Sequence, residues 1–518
     1  MLGAICAGQS AGLYPVGAAI PGRFILVYRE GAPEAAARDF TGAILLKSHS
    51  RLGIAVVQTA ASNAESTRAM QQILAQQPGV AFAVADRIVS AHALTVRTPT
   101  ARAAVPAGPA DAFYDFAGGW AVREVGGFGS QLSRTGDTSS PSEKGPWDVT
   151  KGEGVRVAIL DSGVDARHPD FAPNLVFNQT EVDQTALPSA CDDGSPQDQQ
   201  GHGTWTASLA VGALGFGTGM VAGVAPAATL LNIKVLERMP SGLRTPSDPM
   251  GCSAGQASGL LSWVLAGIED AVEQHADVVS MSLGTLVDLT TDDGPGLKAA
   301  FDRVTHAAAQ AGVILVASAG NDGLDLTGGR YLELPAQSED VLAVIATTNP
   351  ACAEALLAGA VCKAGPVTVP YYSNFGSPLN ALAAPGGSYP AGTNTEAGSP
   401  SGWIRGACSE GEPSTLDGAP VDAAHSMGCF GLGHTAYVEA MGTSASAPLA
   451  AGVAALIRSA HPTWDGATVM QAMRSSAVSL PGLRTPLIDA ASALGLPAVA
   501  NHSRSMSAAE RANSSSVP

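Results

Sequence analysis

What the chain lacks narrows its function first. Only 14% of its 518 residues are charged and 5% are aromatic. Lysine and arginine number 28 against 45 acidic residues, for a formal net charge of −17. Nucleic acids and anionic lipid surfaces select the opposite balance, so neither is expected as a partner. No apolar run reaches the roughly eighteen residues of a membrane-crossing helix, so no membrane partner is expected either. No Cys-x-x-Cys pair and no histidine-rich tract offers zinc-ligand spacing. Metal: none is expected.

Cysteine is scarce as well, with seven residues in all. Cys6 stands apart, in no convincing lipobox. The other six, Cys191, Cys252, Cys352, Cys362, Cys408 and Cys429, suit three disulfides and an oxidising compartment. Proximity in sequence points to Cys352–Cys362 and Cys408–Cys429, each stapling one insertion, which leaves Cys191–Cys252. Free buried thiols are the alternative. Residues 1–22 are apolar and small, without a lysine or arginine before Arg23, and read as an incomplete signal or leader segment. The expected location is secreted, extracellular or periplasmic.

What is plentiful is glycine, 60 residues of it, in a chain long enough for more than one domain. Residues 23–93 read as a small α+β unit. Strand patterns cover 23–29, Ala43–Leu46, Gly53–Val57 and the alternation Val80, Phe82, Val84. Helices are expected at Pro33–Phe40 and at Asn63–Gln76, where Asn63 offers a cap. This βαββαβ order is that of a ferredoxin-like unit; an unrelated α+β module is the alternative. Residues 94–112 form an Ala/Pro/Thr-rich linker of the extended, protease-accessible kind. Residues 113–499 form the large domain, with insertions at about 350–435, and 500–518 read as a serine-rich disordered tail.

Three segments of the large domain carry chemistry. Val155–Leu160 reads as a buried parallel strand that ends in Asp161-Ser162-Gly163. A carboxylate at the carboxyl end of a central strand is where open α/β sheets place ligand chemistry. His202 follows between glycines, Gly201-His202-Gly203-Thr204, at the start of a small-residue helix. Gly442-Thr443-Ser444-Ala445-Ser446-Ala447-Pro448 then delivers Ser444 to the start of a long apolar helix, whose amides favour developing negative charge. Taken singly, Ser444 could be a helix cap, Asp161 a turn cap and His202 a satisfied core histidine. Together they stand in the order Asp, His, Ser.

These three segments resemble the signature motifs of the subtilisin-like serine proteases, peptidase family S8. The likeness extends through Asp277–Gly284, Gly312–Asn321, Tyr372–Gly376 and Ala383–Gly386, and so covers about 145–480. It implies an α/β, three-layer fold with a mostly parallel central sheet, preceded by an inhibitor-I9-like prodomain. It also implies a self-processing zymogen that cuts itself within the 94–112 linker and acts on protein or peptide substrates, with its own prodomain as inhibitor and monomeric in solution. Ser444 would attack the peptide carbonyl, His202 would carry the proton and Asp161 would orient the imidazole. The Asn321 amide would complete the oxyanion hole.

The first substrate pocket would be lined by Ser282, Leu283, Gly284, Ala317, Ser318, Ala319 and Gly320. All are small or uncharged, which predicts an apolar or broad preference; Asp248, on the 240–257 loop, is the acidic residue that could alter it. The stretch Gly212–Gly219 stands where many relatives carry a calcium loop. It holds no Asp, Asn or Glu, so no cofactor is expected and structural calcium would depend on backbone carbonyls alone. Trp205, beside His202, is unusual. Other classes fit less well. A catalytically silent subtilase-fold binding protein would not need Asp161, His202, Asn321 and Ser444 intact. An esterase would want a Gly-x-Ser-x-Gly elbow, and a metallohydrolase would have to gather His168, Asp170 and His202.

Overall fold

Val157, Ala158, Ile159 and Leu160 are all apolar, and such a strand needs cover on both faces. The computed structural model supplies it. It describes residues 15–29, 42–49, 52–92, 119–129, 144–168, 170–214, 221–242, 244–246, 248–252, 255–349, 367–388, 404–409, 430–432 and 435–497. The leader 1–14, the expected helix at Pro33–Phe40, the linker 94–112 and the tail 500–518 lie outside them. So do Cys352, Cys362 and Cys429, and residues 215–219 of the glycine-rich loop.

Within the N-terminal unit, strands β1 (Ala19–Tyr28), β2 (Ala43–His49), β3 (Ile54–Thr59) and β4 (Val80–Ala91) are antiparallel, and helix α1 (Ala64–Ala75) lies between β3 and β4. Asn63 caps α1: its side chain accepts from the Ser66 amide at 2.9 Å, while Ser66 Oγ accepts from the Asn63 amide at 3.1 Å.

The large domain opens with α2 (Trp120–Glu124) and continues through β5 (Arg156–Asp161), β6 (Leu175–Thr180) and α3 (His202–Val211). Next come β7 (Thr229–Lys234), β8 (Glu237–Met239), β9 (Gln256–Leu260), α4 (Leu261–Glu273), β10 (Val278–Met281) and β11 (Leu283–Asp288). Then follow α5 (Gly294–Gln310), β12 (Ile314–Ser318), β13 (Tyr331–Leu334), β14 (Val341–Thr347) and β15 (Leu382–Pro385). Three short strands, β16 (Ile404–Ala407), β17 (Phe430–Leu432) and β18 (Thr435–Ala440), precede α6 (Thr443–Ala460), α7 (Gly466–Ser476) and α8 (Ala490–Ala493).

Seven strands form the central sheet, in the order β15-β14-β12-β10-β5-β7-β6, with every pairing parallel. Alternation assigns the two faces. Val157, Ile159, Val316 and Val344 enter one core with residues of α3 and α6, while Ala158, Leu160, Ala317 and Ile345 enter a second core under α4 and α5. The result is an α/β fold of three layers.

The N-terminal sheet uses its two faces in the same way. Phe24, Leu26, Ala55, Val57 and Ala85 pack on Leu74 of α1 in a third core. Ile25, Val27, Ile54 and Val84 face the opposite way and join the second core of the large domain. Asp86 of this unit is fully buried, accepts from Arg23 Nε at 2.9 Å, and caps α4 by accepting from the Ser262 amide at 3.1 Å.

Cys191 and Cys252 are bonded, across a sequence separation of 61. Closing a loop of that size removes unfolded-state entropy worth about 4 kcal/mol. Cys408 is also in a disulfide, with a partner outside the described residues. The 350–435 stretch, expected as surface insertions, is not superficial throughout. Ile404, Ala407 and Cys408 are buried and belong to the first core.

Candidate active site

Asp161 ends β5 with its carboxylate out of contact with water. It accepts from the Ser162 amide at 2.7 Å and from Thr206 Oγ1 at 3.0 Å. His202 is the first residue of α3, and its Nδ1 lies 2.6 Å from Asp161 Oδ1. The glycine after it permits this approach, because a Cβ at Gly203 would stand 2.1 Å from the Gly163 carbonyl oxygen. The loop before α3 is shaped by Asp198, which accepts from Ser162 Oγ and from the amides of Gln200, Gly201 and Thr204 at 2.8–3.0 Å. Burial pushes the Asp198 carboxyl up from its ordinary range, against the pull of these donors.

Trp205 is fully buried, with its ring centroid 5.8 Å from that of His202 and the two rings meeting edge to face. Its indole N–H donates to the Ile404 carbonyl at 3.2 Å, and Gly406 lies against its ring. The unusual neighbour of His202 therefore braces α3 against β16.

Ser444 is the second residue of α6. Its Oγ donates to the Ser282 carbonyl at 3.2 Å, while among the described residues Nε2 of His202 has no hydrogen-bond partner. Ser282 Oγ in turn donates to the Ser444 carbonyl at 2.9 Å. That carbonyl is available because Pro448, four residues on, has no N–H to give it. Asn321 stands across the cleft. Its amide oxygen accepts from the Thr443 N–H at 3.0 Å and Thr443 Oγ1 at 2.9 Å, which turns its NH2 group outward.

The cleft is filled by the chain itself. The end of β4 runs antiparallel between β9 and β11, pairing Ile88–Ser90 with Ser258–Leu260 on one side and Ser90–Ala91 with Leu283–Gly284 on the other. The His92 amide donates to the Ser282 carbonyl at 3.1 Å, and the His92 carbonyl accepts from the Asn321 side-chain NH2. A peptide carbonyl from the N-terminal unit thus rests on the amide of Asn321, beside Ser444.

The seven expected pocket residues divide by alternation, with Gly320 on the same side as Ser318, where a Cβ would stand 2.8 Å from Glu333 Oε2. Ala317 and Ala319 point into the second core. Ser318 reaches the cleft, where its Oγ is 2.8 Å from Nδ1 of His92. Ser282, Leu283 and Gly284 form the strand edge that pairs with the filling segment. Asp248 Oδ1 accepts from the amides of Gly251 and Cys252, at 2.9 Å each, within its own loop. The acid at the pocket is Glu333 on β13, buried and 3.3 Å from Nε2 of His92. One signal for it stands in the sequence: a lone carboxylate between Leu332 and Leu334 in an apolar strand.

His168, Asp170 and His202 do not assemble. The Asp170 carbonyl accepts from the Ala213 amide beyond the far end of α3, a helix of ten residues that begins at His202. At 1.5 Å per residue that is about 15 Å away. Among the described residues the one cluster with metal-ligand spacing is His306, Glu339 and Asp340, all exposed. No helix among them is long and apolar enough to cross a membrane.

A profile described as "Subtilase family" matches residues 152–505. The chain is 31% identical over 329 residues to subtilisin from Bacillus pumilus, covering 64% of this chain and 86% of that protein. It is 35% identical over 180 residues to an intracellular serine protease from Paenibacillus polymyxa, covering 34% of this chain and 44% of the relative, so it spans less than half of that protein's length. Among solved structures it is similar to fervidolysin from Fervidobacterium pennivorans, described as a keratinolytic enzyme related to subtilisin. The TM-score is 0.60 at 19% identity, over 95% of this chain and 64% of that one. At that identity the likeness concerns the fold.

Proposed function

This chain belongs to the subtilase family, and from that premise we propose that it is a serine endopeptidase made as a self-inhibited zymogen. Ser444 attacks the substrate carbonyl and His202 takes its proton through Nε2, then returns it to the leaving amine. Asp161 holds the imidazole by Nδ1 and offsets its charge. Rotation about the Ser444 Cα–Cβ bond carries the hydroxyl from the Ser282 carbonyl toward Nε2. Catalytic hydrogen bonds often form only once a substrate is bound. The Asn321 amide, oriented by Thr443, receives the oxyanion.

One observation carries this reading: the His92 carbonyl already occupies the Asn321 amide, at the end of a segment paired on both edges like an extended substrate. Residues 23–92 then act as a prodomain whose end blocks the cleft, and the secreted setting expected from the cysteines fits the Cys191–Cys252 bond.

The test is covalent labelling by a fluorophosphonate after removal of the N-terminal unit. Stoichiometric labelling of the wild type, lost in Ser444→Ala, is the expected result. A folded wild type that does not label would instead point to a silent binding protein of the same fold.

A further inference from the structure

Glu333 is a carboxylate without an assigned task. Its side chain is 1% exposed, and among the described residues neither of its oxygens accepts a hydrogen bond. What stands near it is the His92 ring, with Nε2 at 3.3 Å from Oε1. On its other side the ring reaches Ser318, whose Oγ is 2.8 Å from Nδ1 and whose own proton points to the Met281 carbonyl at 3.5 Å. Nε2 thus faces the carboxylate, while Nδ1 is held by a hydroxyl that serves as donor or acceptor.

The carboxylate stands between the two strands that wall the pocket. A Cβ added to Gly284 would stand 2.4 Å from Glu333 Oε1, and one added to Gly320 would stand 2.8 Å from Oε2. Two glycines from opposite walls thus leave room for the carboxylate, which sits at the depth of an imidazole. Asp322 is the other charged group near it, and it has the same sign. Burial pushes the Glu333 carboxyl up, and the histidine draws it back down. An isolated buried carboxylate is costly, whereas one that receives a cation is compensated.

We propose that Glu333 makes the first substrate pocket selective for a protonated histidine, and that the zymogen cuts itself between His92 and Ala93. This rests on the serine-peptidase reading above. In the cut, Ser444 Oγ bonds to the His92 carbonyl carbon and the His92–Ala93 C–N bond breaks. The serine proton passes through His202 to the amine of Ala93. Water then releases the His92 carboxylate and restores Ser444. The scissile bond lies just ahead of the linker 94–112, where the resemblance placed it, and the apolar or broad preference expected from the pocket's small residues gives way to a preference for a cation.

The experiment uses the matured enzyme and peptides differing only in the residue before the cut, assayed at pH 6, where histidine is largely protonated. The expected result is kcat/KM at least about tenfold higher after histidine than after leucine or phenylalanine, the difference that one charge-assisted contact supplies. Glu333→Gln, nearly the same shape, should bring that ratio within about threefold of one while fluorophosphonate labelling of Ser444 persists. The prodomain fragment that first appears should end in His92 by intact mass. Leucine cut as fast as histidine, an unchanged ratio in Glu333→Gln, or a first fragment ending elsewhere overturns the proposal. Wild type that fails to label sinks the peptidase reading itself, so the two failures are told apart.

Discussion

Asp161 and His202 meet through Oδ1 and Nδ1 at 2.6 Å, with both side chains sealed from water. The bond fixes which nitrogen of the ring faces the cleft. Asp161→Asn would keep the shape and reverse the polarity, favouring the other tautomer. Turnover should fall by about 10⁴, as expected for such a change in a triad. A loss of less than about tenfold in kcat, in a variant of unchanged melting temperature, would remove Asp161 from the mechanism.

Asn321→Ala removes the donor now resting on the His92 carbonyl. For a side-chain donor of this kind the cost is about 10²–10³ in kcat, a magnitude known from subtilisin itself, with little effect on KM. Equal kcat for variant and wild type would refute the role.

Ser444→Ala protein, produced without other proteases, should accumulate as the full-length chain with its cleft still filled. Mass spectrometry of the purified protein reads this directly, and normal maturation of the variant would sink self-processing.

Trp205→Ala should destabilise the fold by about 3–5 kcal/mol, the usual range for emptying a buried tryptophan site. Trp205→Phe keeps most of the volume but leaves the Ile404 carbonyl without its donor, at about 1–3 kcal/mol. Denaturant midpoints of the inactive Ser444→Ala form provide the measurement. Losses below about 1 kcal/mol for both variants would show that α3 does not depend on β16.

Glu237 is buried beside Asp192 and Lys234, and burial raises its carboxyl to about 8. In the folded protein it therefore keeps its proton at a pH where the unfolded chain has lost it. Stability is then fully present below the unfolded value of 4.5 and falls as pH rises toward about 8. Glu237→Gln should flatten that fall, so its melting temperature gains on the wild type between pH 5 and 8. Parallel melting curves across that window would contradict the assignment.

Much of the architecture was legible because it depends on one-dimensional signals. The unbroken apolar run before Asp161 requires a strand covered on both faces, and the Asn63 cap marks where α1 starts. The cysteine spacing left Cys191 for Cys252, and the structure joins them. What stayed hidden depends on contacts across the chain. Glu333 is far from Gly284 in sequence, and only the return of β13 along β11 brings it to the pocket. The support of Asn321 by Thr443, and the contact of Trp205 with Ile404, arise in the same way. His92 looked like the edge of a linker because nothing local marks a residue whose partners lie on four separate strands or loops.

The two-faced sheet of the N-terminal unit has a further consequence. Ile25, Val27, Ile54 and Val84 are covered only while the large domain is present. Once cut free and displaced, the fragment would present a greasy plane to water and lose the helix that Asp86 caps. Rebinding would then compete with unfolding, aggregation and digestion of the fragment. Activation would act as a ratchet, turning forward easily and backward hardly at all.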